Sequence, residues 1–295
     1  KGKASDVLLN GGKSESYAIV PDYYNGILPK VVAKVGEKVK AGSVLMIDKN
    51  RPEIKFVSPV SGEVTAVNRG EKRKVLSIVV KPDAQIEYEE FGKKNVASLQ
   101  GAEVKEVLLN AGMWPFIKQR PYDIVAAPLD TPRDIFVSAF YSAPLAPNFD
   151  FIVKGQEADF QTGLNALAKL TNGKVYVGVR SGSVVSGMKG VEIVEVEGPH
   201  PAANVGVQIN HIKPVNKGEV VWTVNPADVI VIGRLFNKGV ADFSRMVAIT
   251  GSETTERGYV KTISGCTIKS LVNGKVLGQE HIRIISGNVL TGTKV

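Results

Sequence analysis

Between Ile27 and Val80 the apolar residues come in short runs, at 30–35, 44–47, 54–57, 63–67 and 75–80, separated by glycine, proline and charged residues. Runs of this length and composition predict strands, so the stretch reads as an all-β module. From about Ser98 the period lengthens to alternating strands and helices. Residues 135–140 predict a buried strand. Phe160, Leu164 and Leu167 then recur on one helical face over 157–170, and Asn172-Gly173 supplies the stop. A strand at 175–179 completes a βαβ unit. Residues 220–224 predict another strand, after which Asn225 is a helix N-cap and Pro226 the first helical position. That helix is expected from Ala227 to about Asn237, ending at Gly239. The last stretch returns to short strands at 246–250, 259–263 and 282–285 around one short helix at 267–272.

Within the first module, the run Val35-Gly36-Glu37-Lys38-Val39-Lys40-Ala41-Gly42-Ser43-Val44-Leu45 is followed by Asp48-Lys49 and by Ser58-Pro59-Val60-Ser61-Gly62-Glu63-Val64. This order resembles the lipoyl and biotinyl carrier domains, whose barrel-sandwich fold places a modified lysine on a hairpin. A full match makes Lys49 that lysine. Asn50-Arg51-Pro52-Glu53 lengthens the hairpin, and likeness of fold alone is the reading taken. At the other end, a strand pair, a small helix and a further strand resemble the soluble-ligand-binding β-grasp domain. The expected fold class is multi-domain α+β: a barrel-sandwich hybrid over residues 1–96, a Rossmann-like α/β domain without a dinucleotide motif over 97–243, and a β-grasp domain over 244–295.

Composition narrows the function classes. The chain has 295 residues, 43% hydrophobic and 22% charged, the balance of an ordinary globular protein. Its longest apolar stretches, such as 229–232, fall far short of the roughly 18 residues a spanning helix needs. The net charge of +8 favours an acidic partner without choosing among nucleic acid, anionic lipid and protein. The densest basic run, Arg69-Gly70-Glu71-Lys72-Arg73-Lys74, lies between two strands and reads as a solvated hairpin turn. A single cysteine, Cys266, excludes an internal disulfide framework and any cluster or zinc site built on this chain's cysteines, and fits a reducing compartment. No charged-then-apolar signal peptide opens the sequence.

Motifs for chemistry are sparse. No G-x-G-x-x-G follows the first strand of the α/β stretch, and the glycine-rich runs 178–183 and 186–190 have the wrong spacing, so both read as loops. The three histidines, His200, His211 and His281, lack the spacing of a helical zinc site. In Gly198-Pro199-His200-Pro201 two prolines stiffen the backbone, and Pro201 can open a helix that leaves His200 neutral near its N-terminus. A quinone carbonyl or a backbone carbonyl can partner the ring, and the backbone is favoured. Met113-Trp114-Pro115-Phe116-Ile117-Lys118-Gln119-Arg120-Pro121-Tyr122 gathers aromatic rings and two cations that either line an apolar pocket with polar donors or anchor a loop.

These segments, together with Asn68-Arg69-Gly70-Glu71-Lys72-Arg73, residues 171–177 and Ile285-Ser286-Gly287-Asn288-Val289-Leu290-Thr291-Gly292-Thr293, resemble the A subunit of the bacterial sodium-translocating NADH:quinone oxidoreductase. The resemblance covers nearly the whole chain. It implies a peripheral protein at the cytoplasmic face of the bacterial inner membrane, held there by the other subunits of the complex, with no role for nucleic acid. It also implies similarity to the flavin-bearing, NADH-binding subunit of respiratory complex I. The glycine-rich flavin loop and cysteine clusters of those relatives are missing, so no permanently bound cofactor is expected. What the resemblance leaves is a part in binding quinone as a substrate. The expected contacts are Trp114, Phe116, Arg120, Tyr122 and His200, with Tyr23 and Tyr24 secondary. The rival readings are a structural scaffold with no small-molecule site and a carrier modified on Lys49.

Overall fold

The computed structural model describes residues 2–11, 13–278 and 282–295. Seven strands build its first part: β1 (Tyr17–Ile19), β2 (Pro29–Val31), β3 (Lys38–Val39), β4 (Val44–Asp48), β5 (Lys55–Val57), β6 (Gly62–Arg69) and β7 (Val75–Pro82). They form two antiparallel sheets, ordered β1-β7-β6-β3 and β2-β4-β5. Leu45, Met46 and Phe56 from the smaller sheet meet Val64, Ile78 and Val80 from the larger in one core. The β4–β5 register shifts between Val44 and Met46, and Leu45 and Met46 are both buried, whereas along β6 and β7 buried positions are separated by half-buried or exposed ones. The basic run is the exposed tip of the β6–β7 hairpin, with Lys72 and Arg73 at φ of 51° and 62°. The strand expected over 30–35 ends at Val31. Beyond it the Val32 and Ala33 amides both donate to the Leu45 carbonyl, which takes the chain out of the regular ladder.

The middle of the chain contains α1 (Gly101–Asn110), β8 (Ile117–Arg120), β9 (Ile124–Val125), β10 (Ile135–Ser138), α2 (Phe149–Val153), α3 (Glu157–Ala168), β11 (Val175–Val179), β12 (Glu192–Glu195), α4 (Val205–Ile212), β13 (Val221–Val224) and α5 (Pro226–Lys238). Its six-stranded sheet runs β12-β11-β10-β13-β8-β9. The four strands from β12 to β13 in that order are parallel, and β8 and β9 are added antiparallel. Helices cover both faces, which is why β10 and β13 are buried at every position. Phe136 and Val221 pack under Ile209 of α4. Ile135 and Val137 point the opposite way, into the core that holds Phe160, Leu164 and Leu167 of α3 and Val229 and Ile232 of α5. The α3–α5 crossing is close. A Cβ on Gly163 would overlap the Val229 carbonyl, and one on Gly233 would overlap the Asp159 carbonyl.

A third group comprises the antiparallel pair β14 (Ser244–Ile249) and β15 (Gly258–Ile263), then α6 (Ile268–Val272) and a small hairpin of β16 (Ile285–Ser286) and β17 (Thr293–Lys294). The strand expected at 282–285 thus begins at its last residue. The start of the chain runs beside β15, where Leu9 N–H donates to the Tyr259 carbonyl and Tyr259 N–H to the Val7 carbonyl. Arg234 of α5, 4% exposed, reaches across to the Asp242 and Ser244 carbonyls, each at 3.0 Å, and to Gln156 Oε1 at 2.6 Å. The three groups are therefore joined by buried contacts, with Ala4, Leu45, Trp114, Leu235 and Tyr259 in one core.

Candidate functional site

Strand β10 has β11 on one side and β13 on the other, because the chain moves outward through β11 and β12 before returning. Where strand order reverses, the loops leaving the two neighbouring strands part and open a crevice beyond their carboxyl ends. Ser138, Phe140 and Tyr141 line it from β10, and Thr223, Val224 and Asn225 from β13. The flanking β groups wall it in. Tyr23, Tyr24 and Phe56 come from the first, and Phe243, Arg245 and Ser264 from the third. The resulting cleft has a volume of about 1040 Å³.

Strand β8 supplies the charge. Its register pairs Lys118 with Thr223 and Arg120 with Val221, so the two cations, two residues apart, share one face of the sheet. Lys118 Nζ sits 5.3 Å from the Tyr24 ring centre and has no hydrogen-bond partner among the described residues. Burial holds this ammonium below the ordinary lysine range, while Asp123 and Asp228 draw it back up. Arg120 pairs with Asp123 at 3.5 Å and Arg245 with Asp228 at 2.9 Å. Burial pushes the Tyr24 hydroxyl up to about 12, with Asp228 adding to the rise and Arg245 opposing it. Tyr141 is raised chiefly by burial too, and its hydroxyl donates to Asn225 Oδ1 at 3.3 Å. Asn225 Oδ1 also accepts from Ala227 N–H, so the cap of α5 and the tyrosine share one acceptor. Tyr24 meets Phe56 edge-on at 4.8 Å, and Phe116 meets Phe243 at 6.1 Å. The cleft is thus a slot with aromatic walls, hydrogen-bond donors at its back and neutral phenols beside them.

Of the seven expected contacts, Tyr23, Tyr24, Phe116 and Arg120 line this cleft. Trp114 does not. It is fully buried, donates through Nε1 to the Ala126 carbonyl at 2.8 Å and packs edge-on against Trp222 at 5.3 Å. Tyr122 is 80% exposed and also lies off the lining, because the turn after β8 carries its ring outward. His200 lies off it as well, with Nδ1 3.1 Å from Ser142 Oγ, so its partner is a hydroxyl and not the favoured backbone carbonyl. Pro201 does not open a helix. Residues 201–203 are turns, and α4 begins at Val205 behind an Asn204 N-cap. His281 falls outside the described residues.

Lys49 is exposed at the tip of the β4–β5 hairpin, but the hairpin is anchored. The buried Asp48 carboxylate accepts from Leu28 N–H, Asn50 N–H and Arg51 Nε, and Arg51 donates onward to the Val125 and Gly26 carbonyls. The extra residues after Lys49 therefore carry the arginine that staples this hairpin to β9. Sequence reasoning overlooked Tyr141, Asn225, Phe243 and Arg245 as cleft residues. They come from three separate places, the turn after β10, the end of β13 and the start of β14, and only the folded chain brings them together.

The arrangement defines a class: an α/β chain whose switch-point crevice is enclosed by two β groups from the same polypeptide. A family model described as NqrA N-terminal barrel-sandwich hybrid domain matches residues 1–83, one described as NqrA second alpha/beta domain matches 99–241, and one described as NQRA C-terminal domain matches 246–295. The chain belongs to the NqrA family. It is 35% identical over 295 residues to the A subunit of the Na(+)-translocating NADH-quinone reductase of Neisseria meningitidis, with 99% of this chain and 66% of that protein covered. The proteins of the same name from Photorhabdus laumondii and Hahella chejuensis are 36% and 37% identical, with the same coverage. The chain spans 66% of the length of these curated relatives. Among the described residues no helix is long and apolar enough to cross a membrane.

Proposed function

We propose that this chain acts as the A subunit of a sodium-translocating NADH:quinone reductase and that the switch-point cleft binds the quinone. In this reading the chain sits at the cytoplasmic face of the inner membrane through partner subunits, holds no permanent cofactor and is not catalytic when isolated. Its three domains divide near 96 and 243, with a Rossmann-like middle and a β-grasp end. The observation that carries the reading is the aromatic slot itself. Tyr24, Phe116 and Tyr141 offer ring faces and edges to a flat apolar head, while Lys118 and Arg120 offer donors to its carbonyl oxygens. Tyr23, more than half exposed, stands at the mouth.

Trp222 adjoins the cleft residue Thr223 in β13 and packs on Trp114, so quinone binding should quench the tryptophan fluorescence. Titration of the purified chain with a short-chain ubiquinone is expected to give saturable quenching. Phe116→Ala should weaken it about ten-fold, on the scale of losing one aromatic wall. Linear, unsaturable quenching, or unchanged affinity in Phe116→Ala, would remove the quinone assignment and leave a scaffold role.

A further inference from the structure

Three cationic nitrogens in the cleft lining, Lys118 Nζ, Arg120 Nε and Arg245 Nε, are buried without a hydrogen-bond partner among the described residues. Buried polar groups in native proteins are nearly always satisfied, so orphan donors of one sign around one cavity indicate where an acceptor belongs. Carboxylates answer the two guanidiniums, Asp123 for Arg120 and Asp228 for Arg245. No ion pair involves Lys118 among the described residues, and the lining has three cations against two carboxylates. The first turn of α4 adds positive potential from the same side. Gly206 lies in the lining, a Cβ there would be 4.0 Å from Arg120 Nη1, and the Asn204 side chain caps none of that turn's N–H groups.

We infer that the cleft selects a flat aromatic ligand carrying one negative charge on a ring oxygen, and that Lys118 is the residue that reads the charge. This deepens the quinone reading and rests on it: the favoured form of the ring is its oxyanion. Tyr24 and Phe116 hold the ring, and the Lys118 ammonium, already stripped of water, meets the charged oxygen at no further desolvation of its own.

Two naphthoquinones with the same ring test this on the full chain at pH 7.5. 2-Hydroxy-1,4-naphthoquinone is an oxyanion at that pH, and 2-methoxy-1,4-naphthoquinone is its neutral ether. The anion is expected to bind about ten-fold tighter or more, the scale of one charge-assisted hydrogen bond. Lys118→Met should erase the preference, costing the anion about ten-fold more affinity than it costs the ether, whereas Lys118→Arg should keep it. Near-ultraviolet circular dichroism establishes that both variants fold. Equal affinities in the unaltered chain, or a preference that survives in Lys118→Met, would overturn the inference. A third probe, 1-hydroxy-2-naphthoate, has the charge without the quinone. If it binds through Lys118 while neither naphthoquinone binds, charge selection stands and the quinone reading fails; if none of the three binds, both fail.

Discussion

Arg234 shows how one residue can fix the relation between two parts of the chain. Its guanidinium donates to the Asp242 and Ser244 carbonyls, to Ser244 Oγ and to Gln156 Oε1, and it lies 3.3 Å from the Asp242 carboxylate. Replacing it by methionine leaves the half-buried Asp242 with Lys238 as its remaining counter-charge and strands the acceptors that the guanidinium satisfied. The expected cost is about 3–5 kcal/mol, the range for breaking one side of a buried pair, read from urea unfolding at pH 7. The sign of the pH dependence follows from Asp242. Burial alone would raise its pKa, but the Ser244 hydroxyl, Arg234 and Lys238 outweigh that and hold it below the ordinary 3.8. A carboxyl depressed in the folded state contributes stability above the unfolded value and loses it as pH falls through the folded one. The gap between the unaltered chain and Arg234→Met should therefore narrow below about pH 3.8. A gap constant from pH 7 to 3 would mean that packing, and not charge, accounts for the loss. Nothing in the sequence around Arg234 announced this role, since an arginine in the apolar run 229–236 is ambiguous until its partners are placed.

At the scale of elements, what the sequence made legible was what carries a local signal. Helix α5 is bounded by Asn225, Pro226 and Gly239, and the structure places them at the N-cap, the first helical position and a left-handed C-cap with φ of 79°. Strand β11 matches its expected bounds for a similar reason, being a continuous valine-rich run before a glycine turn. Strand β8 had no such signal. Ile117-Lys118-Gln119-Arg120 alternates only weakly, and its place is set by pairing with β13 about a hundred residues later. Helix α4 likewise starts at Val205, four residues after the proline expected to begin it, because residues 201–203 turn and Asn204 becomes the cap. The glycines of the α3–α5 crossing are a further case of long-range cause. Gly163 and Gly233 are poor helix formers, and only the facing carbonyls explain them. Gly233→Ala should improve local helix propensity yet destabilise the fold by about 1–3 kcal/mol, since the added methyl forces two packed helices apart. An alanine variant as stable as the parent in urea would show that the crossing has room to spare.

The three groups of elements act as one body at the scale of the whole molecule. The start of the chain lies along β15, residues 91 and 94 hydrogen-bond to the end of α5, and the hairpin carrying Lys49 is held to β9 by Arg51. Heating should therefore give one calorimetric transition with matching van't Hoff and calorimetric enthalpies. Two resolved transitions would show that the joints are weaker than their buried contacts imply. The aromatic and cationic character of the site was legible in residues 113–122, but its membership was not. Trp114 and Tyr122 fell to opposite sides of the lining, one into the core and one into solvent, because the single helical turn ahead of β8 packs Trp114 on Trp222 and the turn after β8 carries Tyr122 outward.

The cleft wall is assembled from distant points of the polypeptide, with Ala18, Tyr23 and Tyr24 among the first and Arg245, Ser264 and Asn288 among the last. During synthesis the aromatic side and Lys118 leave the ribosome long before the residues that close the slot, so binding competence arrives late. Occupancy would then mark a chain in which all three groups have come together. A ligand held there adds its binding free energy to the stability of all three groups together, and its release loosens them as one.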